Sequence, residues 1–159
     1  MKLSRSAIMS GLLVIAAAAS ASAQTQTVTF QVDAINMIAV TGSPSLTINT
    51  ATAGGAPTSA TSTGNTWAVT TNQSNAKVSA SIASNMPAGL TLSASMVAPA
   101  GATSAGLQPL TTVAVDLVTV LTKQAATGLA LSYQLDATAA AGVVASSTRL
   151  VTFTVSGGV

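Results

Sequence analysis

Apolar and polar residues alternate along many short segments of this chain. Successive side chains of a β-strand point to opposite faces, so strict alternation predicts strands with one buried face. The clearest alternating segments are 28–32, 90–96, 129–135 and 151–155, and further strands are predicted at 46–50, 66–71, 77–83 and 111–122. The pattern therefore predicts an all-β protein.

Turn-forming residues separate the predicted strands. A Gly-Gly-Ala-Pro sequence lies in a polar loop over 51–65, residues 72–75 are typical of a hairpin turn, and a Pro/Gly-containing loop covers 97–110. Seven or eight short strands with turns at this spacing favour an antiparallel, immunoglobulin-like β-sandwich. The alanine-rich stretch 137–145 could form a helical turn, but Gly142 and the valines after it favour a loop.

Two segments break the alternation. In 111–122 the apolar phase changes between Leu117 and Val118, and residues 32–40 are apolar on both faces of a strand. A β-bulge, or a strand that passes from one sheet to the other, is the preferred explanation. The alternative is that a second molecule covers the additional apolar face. The apolar residues of the second segment are Val32, Ile38 and Val40 on one face and Ile35 and Met37 on the other.

Residues 1–23 are typical of a secretory signal peptide. A positively charged start precedes an apolar run over 8–19, and Ala21-Ser22-Ala23 supplies the small residues of a cleavage site. The run is shorter than the roughly 20 residues that span a bilayer. We therefore expect cleavage between Ala23 and Gln24 and one domain over 24–159 with no membrane span. The mature protein is expected to be secreted, extracellular or at the cell surface, with the periplasm as the other location.

Removal of that segment balances the charges. The mature chain keeps three cations and three carboxylates, which are Lys77, Lys123, Arg149, Asp33, Asp116 and Asp136. Three scattered cations do not make the basic patch that nucleic-acid phosphates require. Nucleic acid is therefore not expected as a partner.

Most catalytic and cofactor chemistries lack their side chains in this sequence. There is no cysteine, histidine or glutamate, so zinc sites, disulfides and histidine-activated nucleophiles are excluded. The three aspartates show neither a calcium-loop spacing nor a pairing suited to glycoside hydrolysis. We expect no enzymatic activity, no cofactor and no metal. A cross-link of Lys77 or Lys123 to an asparagine or aspartate, with Asp116 nearby, is an alternative that stays open.

Trp67 is one of only four aromatic residues. It lies two residues before Val69 in an alternating segment, so both side chains are expected on one buried face. Carbohydrate stacking would require an exposed aromatic cluster. Core packing is therefore the expected role of Trp67.

The outward positions of the predicted strands are Ser, Thr, Ala and Gln rather than Lys and Glu. Serine and threonine make up 39 of the 136 residues from Gln24 onward, against six charged residues. Soluble sheet proteins normally protect their edges with charges, prolines or bulges, and a surface without net charge favours association. This surface predicts a protein that assembles.

The organisation resembles that of secreted bacterial pilin or fibre subunits with an immunoglobulin-like sandwich. An extended N-terminal strand, Gln24–Val40, and an alternating C-terminal strand, Arg149–Val155, carry the resemblance. It implies assembly by strand complementation, with other copies of the chain as partners. The candidate assembly residues are Val28, Phe30, Val32, Ile35, Met37, Ile38 and Val40.

The sequence therefore predicts a non-enzymatic, secreted structural protein. Its expected role is that of a self-assembling subunit of a surface fibre, pilus or extracellular matrix. The alternative is a monomeric adhesion or ligand-binding module that uses the loops 51–65 and 97–110 as its contact surface.

Overall fold

The computed structural model describes residues 22–158 and divides the chain into two units after Val32. The predicted start and apolar run of the signal peptide lie outside the described residues. Residues 22–32, which we call the N-terminal arm, contain no strand, and Ala23 and Gln24 lie here in exposed backbone. The predicted strand at 28–32 is therefore wrong, because alternation of side chains does not supply the neighbouring strand that backbone hydrogen bonds need.

Residues 33–158 contain nine strands and one 3-10 turn, Ala139–Ala141. The strands are β1 Asn36–Thr41, β2 Ala60–Thr71, β3 Ala76–Ile82, β4 Leu90–Met96, β5 Thr103–Ser104, β6 Gln108–Pro109, β7 Val115–Leu121, β8 Gln124–Ala137 and β9 Val151–Ser156. Within residues 22–158, no helix is long and apolar enough to cross a membrane.

The strands form two antiparallel sheets. One sheet has the order β1-β2-β8-β4-β6, and the other has the order β5-β7-β3-β9. The predicted all-β class is confirmed, and two sheets of this kind are consistent with a β-sandwich.

One hydrophobic core is built from both sheets. The apolar residues of β2, β3, β4 and β8 that face the core follow a period of two, and Ser79 of β3 and Ser93 of β4 are buried as well. Trp67 is buried, and its indole Nε1 donates a 3.1 Å hydrogen bond to the carbonyl oxygen of Val97, so the predicted core role is confirmed. The largest fully buried side chains are Trp67, Met96, Leu117, Leu121, Leu131, Val78 and Val118.

The phase change in the strand after 111 is caused by bulges. Between the pairs Val78–Val118 and Ser79–Asp116, β3 advances by one residue and β7 by two. A second extra residue follows between Val118 and Leu121. Each bulge turns the next side chain to the other face, which allows both Leu117 and Val118 to be buried. The predicted bulge is confirmed.

Other predicted boundaries are wrong. Residues 46–50 are not a strand, although Leu46 and Ile48 alternate in burial with exposed neighbours. Strand β2 already begins at Ala60, inside the predicted loop 51–65, because its partner β8 is long enough to pair with it there. The strand predicted from 111 begins at Val115. The loop 97–110 contains the two short strands β5 and β6.

Residues 72–75, which we call the corner, connect the two sheets instead of forming a hairpin. β2 belongs to the five-stranded sheet and β3 to the four-stranded sheet. Another connection between the sheets, from β7 to β8, lies beside the corner. The backbone N–H of Lys123 donates a 2.8 Å hydrogen bond to the carbonyl oxygen of Gln73, and that of Asn75 donates to Thr122 Oγ1 at 3.0 Å.

Candidate functional site

The four sheet edges are protected unequally. On one side the edge strands β5 and β6 have two residues each, and β6 ends in Pro109. Short edge strands and proline are common protections against unwanted strand pairing. On the other side, β1 and β9 each present a six-residue edge, and these two strands lie near each other. We call this side the open flank.

Apolar side chains are exposed along β1. Ile38 packs partly against the core, whereas Met37 on the other face is 64% exposed. Ile35 and Val40 are also exposed. The second apolar face of 32–40, which the sequence predicted, is therefore uncovered at β1 within the described residues.

A groove continues the open flank beyond the ends of β1 and β9. Its two cavities, of about 470 and 660 Å³, share Leu46, Met86 and Leu135 in their linings. Buried Leu92 and Tyr133 line the smaller cavity together with Phe153 of β9. The groove thus exposes part of the core to solvent where the segments before β2 and before β9 have no strand assignment.

The open flank is almost uncharged. Strands β1 and β9 contain no charged residue. Among residues 22–158, Arg149 is the one charged residue that lines the groove. Its guanidinium donates to the carbonyl oxygens of Asn85 at 3.2 Å and Thr148 at 2.8 Å. An occupant of this surface would therefore be selected by apolar contacts and backbone hydrogen bonds.

Asn72 at the corner fixes the residues that precede β1. Its side-chain oxygen accepts a 2.8 Å hydrogen bond from the backbone N–H of Ile35, and its Nδ2 donates at 2.7 Å to the carbonyl oxygen of Asp33. Its own backbone N–H donates to the carbonyl oxygen of Ile35. The side-chain amide thus takes the place of a strand neighbour at the start of the folded unit.

The candidate chemical residues do not form a reactive site. Lys77 Nζ lies 3.0 Å from Asp116 Oδ2, so the structure brings these two together, but both side chains are well exposed to solvent. A cross-linking reaction requires an apolar environment around the reacting pair. Asp136 accepts hydrogen bonds from Ser59 and Gln134. Among residues 22–158, no three acidic side chains are close enough to hold a metal ion.

Sequence reasoning missed the groove and its lining residues Leu46, Met86 and Phe153. The strand predicted at 46–50 would place Leu46 in the core of a sandwich, where no groove is expected. The signal that could have found the groove was weak. It is the alternation at 46–50 followed by the turn-rich segment 51–57, so that no alternating segment follows directly to complete a hairpin.

No protein-family model, curated protein or solved structure matches this chain.

Proposed function

We propose that this protein is a secreted, non-enzymatic structural subunit that assembles with copies of itself into a fibre, pilus or matrix. The observation that carries the proposal is the open flank. Two six-residue edges lie on the same side of the molecule, next to exposed apolar residues and a groove that reaches the core. Exposed strand edges bind further strands through their backbone groups.

The composition supports the same function. A chain with six charged residues in the 136 after the predicted cleavage site has little electrostatic repulsion between copies. The finer fold assignment, an immunoglobulin-like sandwich, belongs to this proposal, and the two antiparallel sheets with a shared core support it.

Lysine substitutions on the edges test this function. A lysine on an edge strand discourages the addition of another strand. We expect Met37→Lys in β1 and Thr154→Lys in β9 to reduce the assemblies seen by electron microscopy and light scattering. Both positions are exposed, so the thermal midpoint should change little. Thr103→Lys, at an exposed position of β5, is the matched control and should leave assembly intact.

The unmodified protein provides the decisive measurement. If it remains a dispersed monomer at high concentration, the structural function is wrong. The adhesion module then becomes the better hypothesis. Exposed substitutions in the part of 51–65 that precedes β2 should in that case abolish binding to a surface without altering stability.

A further inference from the structure

We infer that the free edge of β9 accepts residues 28–32 of a second copy as an additional antiparallel strand, with Phe30 opposite Phe153. This inference rests on the proposed function and specifies its contact. The occupant is the N-terminal arm of another molecule.

The arm and β9 have nearly the same sequence. Residues 28–32 are Val-Thr-Phe-Gln-Val, and residues 151–155 are Val-Thr-Phe-Thr-Val. The sequence of 151–155 reads the same from either end. An antiparallel register centred on the two phenylalanines therefore places valine opposite valine at both ends. The polar residues then share the other face. Aromatic and β-branched pairs of this kind stabilise neighbouring strands.

The exposed surfaces of the two segments are complementary. Val28, Phe30 and Val32 are 72%, 89% and 76% exposed, so they have apolar area to bury. In β9, Phe153 is partly buried against the core, whereas Thr152 and Thr154 are exposed. The added strand would place its three apolar side chains on the core side, beside the groove.

This contact would bury apolar side-chain area of the arm. A phenylalanine side chain alone buries about 150 to 250 Å², and the valines and the backbone of the strand add to it. A standard interface buries about 800 Å² per partner. Neither segment contains a charged residue, so the pairing desolvates no ion.

The orientation identifies the donor as a second copy. Ser156 of β9 pairs with Lys77 just after the corner, and Asp33 is held at the corner by Asn72. Asp33 therefore lies near the end of β9 that contains Val155. A segment that runs straight from Asp33 along β9 of the same molecule would be parallel to it, with Val32 beside Val155. All seven strand pairings of the folded unit are antiparallel, which is the more stable arrangement per residue.

Cysteine trapping tests the register, because the natural chain contains no cysteine. Two differently tagged full chains are prepared, one with Thr29→Cys and one with Thr154→Cys, and are mixed under mild oxidation. Residues directly opposite in an antiparallel pair have Cβ atoms about 4.5 to 5.5 Å apart. We expect a disulfide between position 29 of one tag and position 154 of the other, identified by mass spectrometry.

Two further cysteine variants, each mixed with Thr29→Cys, control for the position and the orientation of the contact. Thr103→Cys, at the protected edge strand β5, should give little linkage to Thr29→Cys. Thr152→Cys lies opposite position 29 only in the parallel register and should also link poorly. Equal linkage with either control, or a dominant link between two copies of Thr154→Cys, would contradict the inference. A purely intrachain link in the double variant, T29C with T154C, would assign the arm to its own molecule.

A second variant separates this contact from the proposed function. Phe30→Ser should abolish assembly without lowering the thermal midpoint, whereas Val113→Ser, at another exposed valine, should leave assembly intact. If the unmodified protein assembles but the 29–154 link is absent, the proposed function stands and this inference is wrong. If the unmodified protein does not assemble, the proposed function itself is wrong.

Discussion

Gly89 precedes β4 in a backbone conformation that few other residues adopt. Its φ is +79°, and a Cβ at this position would lie 2.8 Å from Thr138 Oγ1 and 2.9 Å from the Cα of Ala141. Conformation and contact therefore both require glycine. Because Ala141 belongs to the 3-10 turn, this close approach fixes the turn against the start of β4.

Alanine substitutions of Gly89 and Gly106 separate the cost of the conformation from the cost of the contact. Gly106 has a similar φ of +73°, but a Cβ there would meet no atom within 4 Å beyond its chain neighbours. We expect Gly106→Ala to lower the free energy of unfolding by about 1 kcal/mol from conformation alone, and Gly89→Ala by roughly 2 to 4 kcal/mol with the added clash. Urea denaturation measures both. Equal losses would mean that the contact at Gly89 is unimportant.

Tyr133 makes the free energy of unfolding fall at alkaline pH. Burial raises the pKa of Tyr133 above its ordinary value of 10.0 because the phenolate loses hydration in the core. In the unfolded chain the phenol ionises at its ordinary pKa. Above about pH 10 this ionisation stabilises the unfolded state relative to the folded state, so the free energy of unfolding falls. The stabilisation is complete below that pH and is lost as the pH rises through the folded pKa.

A conservative substitution isolates that effect. We expect Tyr133→Phe to weaken the decline of the unfolding free energy above about pH 10, the ordinary tyrosine pKa. Denaturant titrations of both proteins from about pH 8 to about pH 11, a range that brackets this pKa, provide the comparison. Identical slopes would contradict the assigned burial.

At the scale of the element, β7 contains a strained residue within its second bulge. Val120 has a φ of +60°, a left-handed conformation that costs a residue with a Cβ about 1 to 2 kcal/mol. Glycine avoids this cost but loses about 0.5 to 1 kcal/mol through its flexibility. We therefore expect Val120→Gly to be neutral or to stabilise the protein by up to about 1 kcal/mol.

The control for this substitution is Val113→Gly. Val113 is exposed, like Val120, but its φ is not positive. It should lose stability through flexibility alone, by about 0.5 to 1 kcal/mol. Thermal unfolding of the two variants gives the order directly, and a larger loss for Val120→Gly would show that its side chain contributes more than its conformation costs.

The elements show what periodicity can predict. Strands β4 and β9 lie where alternation placed them, and the phase change at Leu117 correctly predicted a bulge in β7. The segments 28–32 and 46–50 alternate equally well but are not strands. Side-chain period shows which residues can share a buried face, whereas a strand also requires an available neighbour. Strands β5 and β6 have two residues each and are too short to show a period.

The candidate site was predictable only in part. The uncharged surface and the apolar residues on both faces of 32–40 pointed to an uncovered strand. The groove was not predictable, because it depends on which segments fail to pair. Its position beside Phe153 follows from the order β5-β7-β3-β9, which no local pattern encodes.

At the scale of the whole molecule, charged residues are few, and the sheet edges are protected on one side only. The charged residues after position 24 number six, and the open flank carries almost none of them. The opposite side has its edges shortened and ends β6 at Pro109. In the proposed assembly, strand geometry would give the contact its direction, since charge is too sparse to orient two copies.

This distribution predicts how assembly responds to salt. Between about 0.01 and 1 M ionic strength, the screening length falls from about 30 to 3 Å, which weakens contacts between exposed charges. Assembly through apolar side chains and backbone groups should persist, and sulfate should strengthen it because sulfate favours the burial of apolar surface. Light scattering across NaCl and sodium sulfate series measures the assembled fraction. Dissolution by NaCl would contradict contact through the open flank and would instead indicate ion pairs, with Lys77 and Asp116 as the exposed pair to substitute first.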